Sequence, residues 1–88
     1  MSKSHTVKVW PIYFERLESG KKTCEVRKND RDYQAGDMLN LVWYDPATKK
    51  LDESKRLQFV ITHVLSGGNY GIDDDYCVLS LRKLSDRE

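Results

Sequence analysis

The sequence predicts a mainly β domain of the α+β class, a small antiparallel β-barrel with one short N-terminal helix. Three observations predict it: apolar residues alternate in several short runs, a single helical repeat lies near the N-terminus, and turn-forming residues separate the runs. Residues 1–88 fit a single domain, because a chain of 88 residues supports one small core.

Residues 6–9 alternate, with Val7 and Val9 on one face, and form the first strand. Trp10 and Pro11 end it and open the helix, since proline suits a first helical turn. Trp10, Tyr13, Phe14 and Leu17 recur at helical spacing as one apolar stripe expected in the core, and Ser19-Gly20 stops the helix. Residues 23–27 form the next strand, with Cys24 and Val26 facing one way and Thr23, Glu25 and Arg27 the other. The Asn, Asp and Gly of 28–36 mark a turn-rich loop. A third strand, 38–44, alternates through Leu39, Leu41 and Trp43 and ends in a turn at Asp45-Pro46.

The longest strand signal is 56–65, with Leu57, Phe59, Ile61, His63 and Leu65 on one face, and its length suits a strand that bends through a barrel. After a glycine- and aspartate-rich loop, residues 76–81 form the last strand, Cys77, Leu79 and Leu81 pointing together. Closing the sheet would remove exposed edges, which matters in a domain this small.

Composition sets limits on function. The chain is 39% hydrophobic and 33% charged, which is globular rather than disordered. A net charge of +1 gives no overall field toward nucleic acid or membrane, so any nucleic-acid site must be local. Residues 1–36 carry eight Lys/Arg against five Asp/Glu, and 37–88 carry seven against nine, which places the basic excess in the first half. No apolar run approaches membrane-spanning length, so no membrane partner is expected.

Cys24 and Cys77 lie in separate apolar runs without metal-ligand spacing, and the opening residues are too polar for a signal peptide. Both read as core thiols of a cytoplasmic protein. Asp73, Asp74 and Asp75 lack the spaced ligands and closing Glu of a calcium loop and read as a solvated loop. No metal or cofactor is expected.

The candidate site is the segment 20–37, GKKTCEVRKNDRDYQAGD, with five basic and four acidic side chains. Lys22, Glu25 and Arg27 are either a structural ion-pair network or the grip on a ligand. Lys21 and Lys28 read as solvated, and Asn29, Asp30, Arg31 and Asp32 mainly as loop scaffold, with Arg31 also a candidate contact. His63 reads as a core histidine. His5 shares parity with Val7 and Val9 and either hydrogen-bonds within the barrel or lines the cleft. Trp43 reads first of all as a core residue, and if the site takes a base then Trp43, Tyr44 or Tyr70 would stack it.

Gly20, Lys22, Glu25 and Arg27 resemble the G-x-K-x-x-E-x-R pattern of ASCH domains, small barrels of the PUA-like superfamily. The chain is more closely similar to the DUF3850 subgroup of bacteria and their phages through His5, Pro11-Ile12-Tyr13-Phe14-Glu15, the run from Gly20 to Tyr33, Gly36-Asp37 and Asp75-Tyr76-Cys77-Val78-Leu79. The resemblance covers nearly the whole chain. It implies an RNA- or nucleotide-binding module whose ligand, RNA or a modified nucleotide or nucleoside, sits in a cleft lined by Lys22, Glu25 and Arg27, with His5, Arg31, Trp43 and Tyr70 as further contacts.

The resemblance also implies two alternatives. Small ASCH amidohydrolases deacetylate N4-acetylcytidine with a Lys, a Thr and a downstream Glu. Lys22 matches their Lys, Glu25 stands at their Thr, and the segment carrying their downstream Glu is not expected in these 88 residues. An enzyme of that kind would draw on Lys22, Thr23 and Glu25. The second alternative is a phage-encoded adaptor that binds a protein partner.

Overall fold

The computed structural model describes residues 2–84. In chain order the elements are β1 (Ser4–Val9), α1 (Pro11–Glu18), β2 (Cys24–Lys28), β3 (Met38–Asp45), β4 (Lys50–Ser66) and β5 (Tyr76–Lys83). The strands form one five-stranded sheet in the order β1-β3-β4-β5-β2, curled into a half-barrel. The fold is thus mainly β with one short helix, as the periodicity predicts. β1 runs parallel to β3, and the other pairings are antiparallel. The expected closure is incomplete: β1 and β2 are the two edges of the sheet, and no strand ladder joins them among the described residues.

Val7, Val9, Leu39, Leu41, Ile61 and Leu79 from the sheet meet Phe14 and Leu17 from α1 in a single core cluster. Leu17 is 1% exposed. Trp10 and Tyr13, expected in the same stripe, are instead 52% and 38% exposed. α1 buries Phe14 and Leu17, whereas Trp10, at its N-cap, and Tyr13 stay largely outside the core.

Two further expectations are corrected by the register. Cys24 is exposed, not a core thiol, whereas Cys77 is buried. In the antiparallel pairing of β2 with β5, Glu25 stands opposite Leu79 and Arg27 opposite Cys77. Directly opposed residues share a face, so the inward turn of Leu79 and Cys77 carries Glu25 and Arg27 inward and leaves Cys24 and Val26 outside. His63 is exposed rather than a core histidine. Ile61 faces Leu81, but His63 faces Ser80 and Val64 faces Leu79, which makes Thr62 an extra residue in β4. A bulge of this kind reverses the alternation beyond it, and Val64 then packs against the core.

β4 also begins six residues before the apolar run, pairing Lys50 with Asp45 across a hairpin. The stretch from Leu51 to Arg56 is solvated on most of its surface, so it carries no hydrophobic alternation to read. Among the described residues, no helix is long and apolar enough to cross a membrane.

Asp37 ties the N-terminal strand to the loop before β3. Its carboxylate, 2% exposed, accepts hydrogen bonds from the Lys3 and Gln34 backbone N–H groups, both at 3.0 Å, and pairs with His5 Nε2 at 2.8 Å. His5 meets the Tyr33 ring edge-on at 4.8 Å. Burial alone would raise the Asp37 pKa, but the bonds from Lys3, His5 and Gln34 outweigh it and hold the carboxyl below its ordinary value.

Candidate functional site

The helix stop sets the first residue of the site. Gly20, at φ +86°, takes a left-handed conformation that reverses the chain. The backbone N–H of Lys22 then donates to the Arg16 carbonyl at 3.0 Å. Lys22 is thereby fixed beside the start of β2, whose inward face presents Glu25 and Arg27.

Glu25, 6% exposed, is the hub of the cluster. Lys22 Nζ donates to the Cys24 carbonyl and to Glu25 Oε1, the latter at 2.5 Å. Arg27 Nη1 lies 3.4 Å from Glu25 Oε2 and donates to the Lys8 carbonyl at 3.0 Å. Lys8 belongs to β1 and Arg27 to β2, so this bond crosses the seam between the two unpaired sheet edges. An edge strand carries unpaired backbone groups, and here two basic side chains occupy carbonyls of both edges while sharing one buried carboxylate.

A cleft of about 630 Å³ opens along this seam, lined by Lys8, Val9, Trp10, Tyr13, Lys22, Glu25, Val26 and Arg27. Trp10 and Tyr13 stack with ring centroids 6.1 Å apart and planes inclined by 25°. Lys22 Nζ lies 5.7 Å from the centroid of the Tyr13 ring. One wall of the cleft is therefore aromatic and half-exposed, and another is a charged cluster with an acceptor at its centre.

The structure brings Lys22, Glu25 and Arg27 together, and the other sequence candidates fall elsewhere. His5 is occupied by Asp37 in the core. Arg31 lines a neighbouring groove. Trp43 borders a third depression, with Lys55 Nζ 4.9 Å from its ring. Tyr44 is covered by Lys8 Nζ at 4.7 Å, and Tyr70 is an 87% exposed loop residue outside the cleft. Thr23 is exposed and does not line the cleft. Asp73, Asp74 and Asp75 are exposed, and the Asp75 N–H donates to Asp73 Oδ1 as a local turn contact.

The aromatic pair Trp10 and Tyr13 was concealed by its own periodicity. Helical spacing places both on the apolar stripe, yet both line the cleft at the seam. The available signal was position: Trp10 directly precedes the helix-opening Pro11 and so stands at the strand-helix boundary.

Residues 4–81 match the family model described as "Domain of unknown function (DUF3850)". Over 41 residues the chain is 49% identical to an uncharacterized 12.9 kDa protein in the GpA 3′ region of Escherichia phage P2, a match spanning 47% of this chain and 38% of that protein. With the family model covering most of its length, the chain belongs to the DUF3850 family.

Proposed function

We propose that this chain is a nucleobase-binding module of the ASCH, PUA-like kind, taking an unpaired base of RNA or a nucleotide in the cleft between β1 and β2. The observation that carries this reading is the juxtaposition of the half-exposed Trp10–Tyr13 stack with the buried Glu25 carboxylate in one 630 Å³ cleft. A base is a flat π surface edged with donors and acceptors. Stacking on an aromatic side chain contributes about 1–3 kcal/mol per base, more than the 0–1 kcal/mol of a typical exposed ion pair.

In this reading Trp10 supplies the stacking face and Glu25 reads the edge. Each carboxylate oxygen accepts more than one hydrogen bond, so pairing with Lys22 and Arg27 leaves capacity for an exocyclic amino group, as acidic side chains use toward cytosine N4. Lys22 and Arg27 orient the carboxylate. Arg27 retains donors beyond those given to Glu25 and the Lys8 carbonyl, and these suit a base or phosphate acceptor.

The test is a titration of the ¹⁵N-labelled protein with the four ribonucleosides, N4-acetylcytidine and a short single-stranded RNA. Shifts are expected at the Trp10 indole and at Tyr13, Lys22, Glu25 and Arg27, with the Trp43 indole as an internal control. Trp10→Ala is expected to weaken binding about 5- to 150-fold, the equivalent of one lost stacking contact of about 1–3 kcal/mol. No response from any ligand, or shifts confined to surfaces outside the cleft, would refute the proposal. Acetate release from N4-acetylcytidine would instead revive the amidohydrolase alternative.

A further inference from the structure

We propose that the groove beside the cleft, bordered by Lys8, Arg31 and Arg56, is a phosphate site, so that the ligand is a phosphorylated nucleotide or strand rather than a free nucleoside. This inference rests on the base-binding reading and adds the ligand's phosphate to it.

The groove has a volume of about 390 Å³ and shares Lys8 and Arg27 with the aromatic cleft. Arg27 donates to the Lys8 carbonyl, so the two depressions meet at the bridged seam. Four cationic side chains, Lys8, Arg27, Arg31 and Arg56, border the groove against a single carboxylate, Glu53. The charge is local, because the whole chain carries a net charge of only +1.

Apart from Arg27, these cations have at most a marginal carboxylate partner among the described residues. Lys22 and Arg27 share Glu25, and Lys3 pairs with Asp32. Among the described residues, neither Lys8 nor Arg56 has a carboxylate within 4.0 Å, and Arg31 reaches only Asp30 at that limit. Lys8 rests over Tyr44, a cation–π contact weaker than an ammonium–phosphate hydrogen bond.

Strand register accounts for the geometry. Lys8 stands opposite Val42, and Val42 opposite Arg56, so the three form one row across β1, β3 and β4. Residues in such a row share a face, and two strand spacings separate Lys8 from Arg56 by about 10 Å at the backbone. A phosphate seated over Val42 would lie between two long basic side chains, with Thr6 also on the groove wall. A base held against Trp10 would then direct its sugar-phosphate past Arg27 and Lys8 into this groove.

The experiment compares each ribonucleoside with its 3′- and 5′-monophosphates by NMR titration at low salt, in the wild type and in Arg56→Gln and Glu53→Gln. One of the two monophosphates is expected to bind about tenfold or more tighter than its nucleoside, the scale of one charge-assisted contact. Shifts should appear at Lys8, Arg31 and Arg56 together with the Trp10 indole. Within R56Q the ratio of nucleotide to nucleoside affinity should fall to about threefold or less, and within E53Q it should rise. Nucleosides binding as tightly as both monophosphates would overturn the phosphate groove and leave the base cleft standing. Silence toward every nucleoside and nucleotide would overturn both, and shifts at Arg56 without movement of the Trp10 indole would overturn the shared path.

Discussion

Glu25→Gln separates a structural brace from a base-reading group, because the two roles predict independent losses. The Glu25 side chain is 8% exposed, and those of its partners Lys22 and Arg27 are 24% and 26% exposed. Breaking a buried ion pair from one side costs about 3–5 kcal/mol when the remaining charge stays buried. Here both cations reach water, and the glutamine amide keeps part of the hydrogen bonding, so a loss of about 2 kcal/mol is expected. For a domain of this size, 1 kcal/mol moves Tm by about 4–8 °C, and E25Q should therefore melt about 10 °C lower. The binding consequence concerns base preference. A carboxylate accepts from the cytosine amino group, whereas the amide also donates to the uracil carbonyl. The ratio of cytidine to uridine affinity should fall about tenfold in E25Q, about 1.4 kcal/mol of discrimination. Calorimetric melting and paired titrations measure the two effects. An unchanged Tm would refute the hub, and an unchanged ratio would refute Glu25 as the group that reads the base edge.

Other predictions concern the scaffold and the thiols. Asp37→Ala leaves the Lys3 N–H, the Gln34 N–H and His5 without their acceptor, and at about 1 kcal/mol for each lost bond it should cost about 3 kcal/mol in urea denaturation at pH 7. The folded-state pKa of Asp37 lies below the ordinary carboxyl value, so its contribution is complete above that ordinary value and is lost as pH falls through the depressed folded value. The gap between wild type and D37A should accordingly narrow in acid; a gap that widens would contradict the assignment. Cys24 is exposed and Cys77 buried, with burial pushing the Cys77 thiol pKa up. A thiol reagent should modify one cysteine rapidly in the native protein and the second only on unfolding, with Cys24→Ser removing the fast phase.

Local chemistry made much of this protein legible. The sequence expectation of a helix opened by Pro11 and stopped near Ser19-Gly20 agrees with α1, because proline and glycine act on the backbone they occupy. Period-2 alternation correctly joined Glu25 and Arg27 on one face, since that grouping depends only on strand geometry. It did not say which face is inside. That followed from the pairing of β2 with β5, where Leu79 and Cys77 draw the charged pair inward against the tendency of charged residues to face water.

The remaining differences have the same origin. One extra residue at Thr62 turned His63 outward, and no composition signal marks a bulge that exists only relative to a partner strand. Trp10 and Tyr13 carry the periodicity of core residues and instead form a cleft wall, a placement that depends on how α1 packs on the sheet. By itself the sequence determined the order of the elements, their turns and the shared face of Glu25 and Arg27, because these depend on neighbours within a few residues. The tertiary structure alone decided that β1 and β2 remain unpaired and that the motif's basic side chains bridge their seam, because that requires contacts between Lys8 and Arg27, nineteen residues apart, which no local pattern encodes.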